Sequence, residues 1–147
     1  MSLANCDKPP SATSDASSKT SVAAARQLSD AVAGDLINQQ TKAIRAKAER
    51  LLRDQVDDNG FASMLDQMYR VYGTPLEFDF KQVEVGTKRY PNGEVKEMWK
   101  FWYAARTSKF EKGNHFLFVE VVKDETHFAF SSFAIVRFSG EVPLSLR

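Results

Sequence analysis

The sequence predicts an α+β domain in which N-terminal helices pack on one face of a curved, four-stranded antiparallel meander sheet. The first observation is a stretch at about 21–56 that is rich in Ala, Leu, Gln, Arg and Lys and has no proline, a composition typical of helix. The second is an apolar stripe at helical spacing over about 60–72. The third is period-two patterning in four later segments with short connections: about 76–85, 95–106, 114–122 and 127–138. Short connections make consecutive strands antiparallel, and helices ahead of such a sheet cover one of its faces.

The length of the chain indicates a single domain, and its net charge limits the kinds of partner that it attracts. The chain has 147 residues, enough for one hydrophobic core, which we place in a single domain over 21–147. Its 20 basic and 19 acidic side chains leave a formal charge of +1, so no long-range field attracts nucleic acid or an anionic membrane. We therefore expect no nucleic-acid partner. No Gly-rich phosphate loop or metal-ligand spacing indicates a cofactor.

Residues 1–20 are predicted to be a disordered tether, because Pro, Ser, Thr, Ala and Lys dominate the part that follows Cys6. Leu3-Ala4-Asn5-Cys6 resembles the end of a bacterial lipoprotein signal, in which the cysteine becomes a lipidated N-terminus, although Asn5 stands where Gly or Ala is usual. The resemblance implies a protein of the cell envelope that meets the membrane only through a lipid anchor at Cys6. The alternative is a cytoplasmic protein with a free thiol in a disordered tail.

The first helical stretch carries two apolar stripes that do not align, one before Gly34 and one after it. A single helix over 21–56 would be about 50 Å long at 1.5 Å per residue, which is too long for a domain of this size. We therefore expect a break or a bend near Gly34, where Asp35 is able to cap a new helix, or a projecting N-terminal half.

The second helix has clear ends. Asp57-Asp58-Asn59-Gly60 precedes it, Gly73 follows it, and Pro75 prevents its continuation. Between these ends, apolar and aromatic residues recur at spacings of three and four and form one stripe: Phe61, Met64, Leu65, Met68, Tyr69 and Tyr72. This stripe is the face that we expect to pack on the sheet.

The first two strands contain local signals for a bulge and a turn. The parity of the apolar residues changes after Phe80, which predicts a bulge near Lys81-Gln82. Tyr90-Pro91-Asn92-Gly93 is a turn signal between the two strands.

The second strand is apolar on both faces over Met98–Tyr103. Helices cover one face of a sheet, so the second face lines a pocket closed by the N-terminal helix or docks on a second copy of the chain. A strongly curled sheet wrapped by its own helices is a further alternative. The predicted interaction face, and the homodimer through the open sheet face that it would support, rest on four residues: Trp99, Phe101, Trp102 and Tyr103.

The order of elements resembles the cystatin-like or nuclear-transport-factor-like superfamily. The resemblance covers about 35–138 and is carried by Tyr72-Gly73-Thr74-Pro75-Leu76, the Tyr90–Gly93 hairpin, and the strands at Trp99–Tyr103 and Phe116–Val119. Within that superfamily the chain is similar to small uncharacterised bacterial envelope proteins. The resemblance implies a cystatin-like fold. It implies no single activity, because members include isomerases, dehydratases, transport factors and secretion-system subunits.

Residues suited to catalysis are few and scattered. His115 and His127 begin consecutive antiparallel strands, so we expect them at opposite ends of the sheet and interpret both as solvated. Isomerases of the superfamily use a carboxylate base in an apolar cavity, for which Asp79 and Glu120 are the strand carboxylates. Tyrosine hydroxyls that could assist them belong to Tyr69, Tyr72 and Tyr103. The face opposite Glu120 is continuously apolar, so we expect Glu120 to face water and we name no catalytic residue.

These observations predict a non-enzymatic binding or scaffolding domain associated with the cell envelope. The alternative is a small-molecule-binding or isomerase-type domain with a pocket between the helices and the sheet. The two are distinguished by polarity, because an enzyme needs a buried carboxylate or histidine that converges with a hydrogen-bond donor in a cavity.

Overall fold

A computed structural model describes residues 10–147, with side chains from residue 19 onward. The helices are α1 (Pro10–Ile37), α2 (Thr41–Ala46), α3 (Arg50–Gln55) and α4 (Asp58–Tyr72). The strands are β1 (Pro75–Arg89), β2 (Val95–Thr107), β3 (His115–Asp124) and β4 (His127–Arg137). The predicted fold class is confirmed: helices precede a four-stranded antiparallel meander and pack on it.

The sheet has the order β1-β2-β3-β4, and every neighbouring pair is antiparallel. A register shift between Phe80 and Gln82 confirms the predicted bulge. Further shifts lie between Pro75 and Glu77 of β1 and between Glu120 and Val121 of β3, where Ser131 of β4 is the additional residue. A bulge bends its strand and increases the local twist, so both outer strands of the sheet are bent.

The first helix differs from its prediction at both ends. It begins at Pro10 rather than Ser21, so residues 10–20 of the predicted tether lie in α1. A proline is accepted in the first turn of a helix, where its missing N–H would have no partner. The rest of the predicted tether, including Cys6, lies outside the described residues.

The predicted break near Gly34 is displaced to the residues after Ile37, where Gln39 adopts a positive φ of 54°. Asp35 does not cap a new helix. It lies inside α1, and its carboxylate receives a 2.6 Å hydrogen bond from Lys47. The chain then continues as the short helices α2 and α3, in which only one residue, Ile44, is fully buried.

The predicted ends of α4 are confirmed. The carboxylate of Asp57 accepts a 2.8 Å hydrogen bond from the main-chain N–H of Gly60 and caps the helix. Gly73 ends it with a φ of 90°. A side chain at this glycine would come within 2.7 Å of the hydroxyl of Ser108, so this turn needs glycine for space as well as for conformation.

The main core lies between the helices and one face of the sheet, which we call the helix face. Trp99, Phe101 and Tyr103 of β2 project onto it and are at most 3% exposed. Buried residues from the neighbouring strands and from α1 complete it: Leu117, Val119, Val121, Phe130, Ile135, Val32 and Leu36.

The opposite face, the outer face, is partly covered by the C-terminus of the chain. A single 3₁₀ turn at Leu144–Leu146 follows Pro143. It brings Leu146, 3% exposed, onto a small cluster with Ala104 and Phe116, and half-buried Trp102 and Phe138 pack against the same cluster. The second apolar face predicted from the sequence is therefore closed in part by the last residues of the same chain.

The other end of the outer face is closed by charged and polar side chains. The Tyr90 hydroxyl donates a 2.7 Å hydrogen bond to the carboxylate of Glu49. Glu49 lies beside β4, because its main-chain N–H bonds to the carbonyl of Phe130, whereas Tyr90 lies at the far end of β1. The β1–β2 hairpin must therefore curl over the sheet for the two to meet. Beneath the curled hairpin, the ammonium group of Lys96 donates a 3.2 Å hydrogen bond to the carboxylate of Asp124.

Candidate functional site

An apolar groove runs between α4 and β4. Its volume is about 610 Å³, within the range of ligand-binding clefts in proteins. We call it the edge groove, and it is lined by residues of these two elements only: Phe61, Ser63, Met64, Leu65, Gln67, Met68, Val71, Tyr72, Phe133, Ala134 and Ile135. None of these lining residues is charged, so an occupant would meet an almost wholly apolar surface.

The helical periodicity of α4 divides its apolar residues between the core and the groove. Phe61 and Leu65 are one turn apart and are at most 2% exposed. Met64 and Val71 are two turns apart, and each is 50% exposed. The sequence predicted one stripe that would be buried on the sheet, and it included Met64 but not Val71. The structure shows that the apolar surface of α4 is wider than its contact with the sheet.

The main chain of β4 borders this groove without a strand on its outer side. Phe130 uses its outward N–H and C=O groups to bond to Lys47 and Glu49. Beyond the bulge at Ser131, Phe138 donates to the carbonyl of Asn114 in the direction of β3. Hydrogen-bonding directions alternate along an antiparallel strand, so residues 133, 135 and 137 direct their N–H and C=O groups outward. Within residues 10–147, no hydrogen bond from another element satisfies these groups.

The two edges of the sheet differ in the protection that usually prevents unwanted pairing. Both edge strands contain a bulge, but only β1 also carries charged side chains along its length, and such charges disfavour addition of another strand. Its charged residues over the first ten positions are Glu77, Asp79, Lys81 and Glu84. Edge strand β4 has no charged residue from Phe128 to Val136. The outer edge of β4 is therefore the more suitable one for an added strand.

A second cleft lies between α1 and β1 on the helix face. One part has a volume of about 510 Å³ and is lined by Lys19, Val22, Ala23, Arg26, Phe80, Val83 and Phe101. A more polar part of about 340 Å³ adjoins it through Arg26 and Phe80, and it includes Asp30 and Tyr103. We call the first part the α1 cleft. Two predicted site residues, Phe101 and Tyr103, thus reach a cleft.

Tyr103 has a defined hydrogen-bond arrangement in this region. Its hydroxyl donates to Asp30 at 2.7 Å and lies 2.7 Å from the hydroxyl of Ser29. A hydroxyl has one proton, so Ser29 is the donor in the second bond. Burial is the main cause that raises the pKa of Tyr103 well above its usual value of 10, and the hydrogen bond to Asp30 adds to it. The phenol is therefore neutral at physiological pH.

The four predicted interaction residues do not form one surface. Trp99, Phe101 and Tyr103 are buried beneath the helices. Trp102 projects onto the outer face, where its indole packs 5.5 Å from the ring of Phe118 and its N–H donates to Glu84. Five residues of the edge groove belong to the α4 stripe that was predicted to pack on the sheet, but the groove itself was not predicted, because the exposure of these residues depends on how α4 sits on the sheet.

The two histidines lie at opposite ends of β3 and β4, as predicted, but their environments differ. His127 is exposed. The prediction that His115 is solvated is wrong: it is 4% exposed, its ring stacks on Phe110 at 4.2 Å, and neither ring nitrogen has a hydrogen-bond partner among the described residues. Burial, with a smaller effect from Arg137, lowers the pKa of His115 below 6.5.

The strand carboxylates are engaged in ion pairs. Glu120 does not face open water, because it accepts 2.8 Å hydrogen bonds from Lys88 and Ser131. Burial acts to raise the pKa of Glu120, but these hydrogen bonds outweigh burial and leave the pKa below its usual value. Asp79 pairs with Lys112, and the hydrogen bond from this lysine is the main cause that lowers the pKa of Asp79. Both carboxylates are held in the charged form.

Two further properties bear on function. In the described part of the chain, no three acidic, histidine or cysteine side chains gather as a metal-binding group. No helix among residues 10–147 is both long enough and apolar enough to cross a bilayer.

Comparisons with protein-family models, with curated proteins and with solved structures found no match to this chain. The fold and the groove define the class of protein as an α+β domain with helices on one face of an antiparallel sheet and an apolar groove at one sheet edge.

Proposed function

We propose that this chain is a non-enzymatic binding domain that takes an extended segment of a partner protein into the edge groove by addition of a strand to β4. The observation that carries this proposal is the outward main chain at Phe133 and Ile135 directly beside the apolar wall of α4. A free strand edge offers alternating donors and acceptors, which only another extended main chain satisfies in series.

The groove also specifies the side chains of the segment. Successive side chains of a strand point to opposite faces, so every second residue of an added strand would enter the groove. The lining is apolar, and its two methionines, Met64 and Met68, adapt to ligands of different shape. We therefore expect segments with apolar residues at alternate positions. The net contribution of each main-chain hydrogen bond is about 1 kcal/mol, so apolar burial provides the larger part of the affinity.

The pairing of the ionisable groups supports a binding role over the isomerase-type alternative. A general base must be free to accept a proton from its substrate. Glu120 is held by Lys88 and Ser131, and Asp30 accepts hydrogen bonds from Tyr103 and Arg26. His115, the one buried histidine among the described residues, faces aromatic rings rather than a carboxylate.

The proposal is tested with a displayed library of random ten-residue peptides selected on the purified protein. We expect the selected peptides to alternate apolar and polar residues. We also expect a synthetic peptide from this selection to slow hydrogen exchange at the amides of Phe133 and Ile135. Met64→Lys and Val71→Lys, each at a half-exposed position, should weaken binding at least tenfold, since both place a charge in the groove. Val85→Lys, at a position 67% exposed on β1, is the matched control and should bind normally.

Two outcomes would contradict the proposal. One is selected peptides that bind without protecting these two amides. The other is protection of the same amides by self-association of the protein alone, measured by light scattering over the concentrations used, which would assign the edge to a second copy of the chain.

The location in the cell envelope and the dimer through the outer face are separate proposals. The first rests on Cys6 and the residues before it, and mass spectrometry of the N-terminus of the protein from its native cells tests it. The second has less apolar surface available than the strand pattern predicts, because Leu146 and the C-terminal turn cover part of that face. Sedimentation of wild type and Trp102→Glu tests the second.

A further inference from the structure

The α1 cleft lies at the opposite edge of the sheet from the edge groove and differs from it in charge. Its wall is apolar along Val22, Ala23, Val83 and Phe101. Two cations, Lys19 and Arg26, also line it, and no acidic side chain does so among residues 19–147, whose side chains are described. An apolar cavity with cations in its wall is suited to a ligand that is apolar at one end and anionic at the other.

The two cations are held differently. The guanidinium of Arg26 lies 3.7 Å from the centre of the Phe80 ring and bonds to Asp30 at 3.0 Å, so Arg26 is fixed in position and partly neutralised. Lys19 is exposed and has no ion-pair partner among residues 19–147, whose side chains are described. The positive charge that remains at this cleft is therefore carried mainly by Lys19, on a flexible side chain that can reach a ligand.

From this arrangement we propose that the α1 cleft binds a long-chain alkyl carboxylate, with its alkyl chain along Val83 and Phe101 and its carboxylate at Lys19 and Arg26. The cleft volume of about 510 Å³ is in the range of small-molecule sites. This site is independent of strand addition at β4, because the two clefts share no lining residue.

The ligand series that tests the charge is dodecanoate, dodecanol and dodecyltrimethylammonium. Each is titrated below its micelle concentration by isothermal calorimetry into the full chain. We expect saturable binding of dodecanoate at one site and binding of the ammonium compound at least tenfold weaker. Removal of two methylenes, from dodecanoate to decanoate, should weaken binding about 15-fold, since each buried methylene contributes about fourfold in affinity.

Variants locate the site. The double variant Lys19→Gln, Arg26→Gln should weaken dodecanoate about tenfold and leave dodecanol unchanged. Its matched control, Lys42→Gln, Arg53→Gln, removes two exposed cations of α2 and α3 and should change neither. Ala23→Trp, at an exposed position of α1, should fill the cleft and abolish binding of both.

The proposal is overturned if the anionic and cationic ligands bind equally, or if the double variant binds dodecanoate as the wild type does. It is also overturned if Met64→Lys abolishes dodecanoate binding while Ala23→Trp does not, because the ligand would then occupy the edge groove. Circular dichroism of each variant verifies folding, and the double variant with its control decides the question if Ala23→Trp fails to fold.

Discussion

Truncation of Leu146 to alanine should destabilise the whole domain although this residue is the second from the C-terminus. Leu146 is 3% exposed and packs on Phe116 and Ala104 of the outer face. Buried Leu→Ala changes cost about 2–5 kcal/mol in continuous cores. The C-terminal segment can detach instead of retaining a cavity, so the loss is limited to the free energy of docking that segment. Burial of one leucine contributes about 1.5–3 kcal/mol, and we therefore expect a loss of about 2 kcal/mol.

Urea unfolding followed by circular dichroism measures this loss. Leu144→Ala is the matched control, because Leu144 lies in the same 3₁₀ turn and is 80% exposed; it should change stability by less than about 0.5 kcal/mol. Tryptophan emission gives a second measurement. Detachment would uncover Trp102 and shift its emission to longer wavelength, whereas Trp99 remains in the main core. Equal stability of the two alanine variants would refute docking of the C-terminus on the sheet.

Three further predictions concern single side chains and are checked by urea unfolding. The pKa of His115 is lowered in the folded state, so protonation of this residue favours unfolding. The stability of the wild type should therefore fall as pH falls through the usual histidine pKa of 6.5. His115→Phe has no such group and should lose less stability than the wild type between about pH 7.5 and pH 5. An equal loss in both would contradict this. Tyr90→Phe removes the hydrogen bond to buried Glu49, which retains an ion pair with Lys96 at 3.8 Å, and should cost about 1–3 kcal/mol. Tyr69→Phe removes a buried hydroxyl without a partner among the described residues and should cost less than about 0.5 kcal/mol. Similar losses in the two variants would argue against the Tyr90 bond. Asp57→Ala removes the cap of α4 and should cost about 1 kcal/mol, and a change near zero would show that the cap contributes nothing.

Helix α4 could be predicted because its signals are local. The cap at Asp57, the apolar spacing and Gly73 all lie within the helix or next to it. The end of α1 could not be predicted in the same way. Gly34 is a weak helix former, but α1 tolerates it and ends only after Ile37. The hydrogen bond from Lys47 to Asp35 joins the two sides of the bend, and no local pattern in the sequence contains this contact.

The sequence correctly predicted that β2 carries apolar residues on both faces, but it did not predict what covers the outer face. Side chains alternate along β2, and the structure places Trp102 on the face opposite Trp99, Phe101 and Tyr103. What covers that face depends on contacts between distant parts of the chain, such as Leu146 with Phe116. The buried state of His115 has the same origin, since Phe110 reaches it from a loop. The edge groove depends on the position of α4 against β4, which the apolar stripe of α4 does not specify.

The ion pairs beneath the curled hairpin bear on the accuracy of folding. Lys96 of β2 bonds to Asp124 of β3, and Lys88 of β1 bonds to Glu120 of β3. A shift of β2 by one residue would turn Lys96 and Lys100 toward the helix face, where an unpaired charge is costly. Both faces of β2 carry large apolar residues, so the apolar pattern alone distinguishes poorly between the observed alignment of β2 and one shifted by one residue. These lysines therefore penalise misaligned strands that apolar packing alone would tolerate.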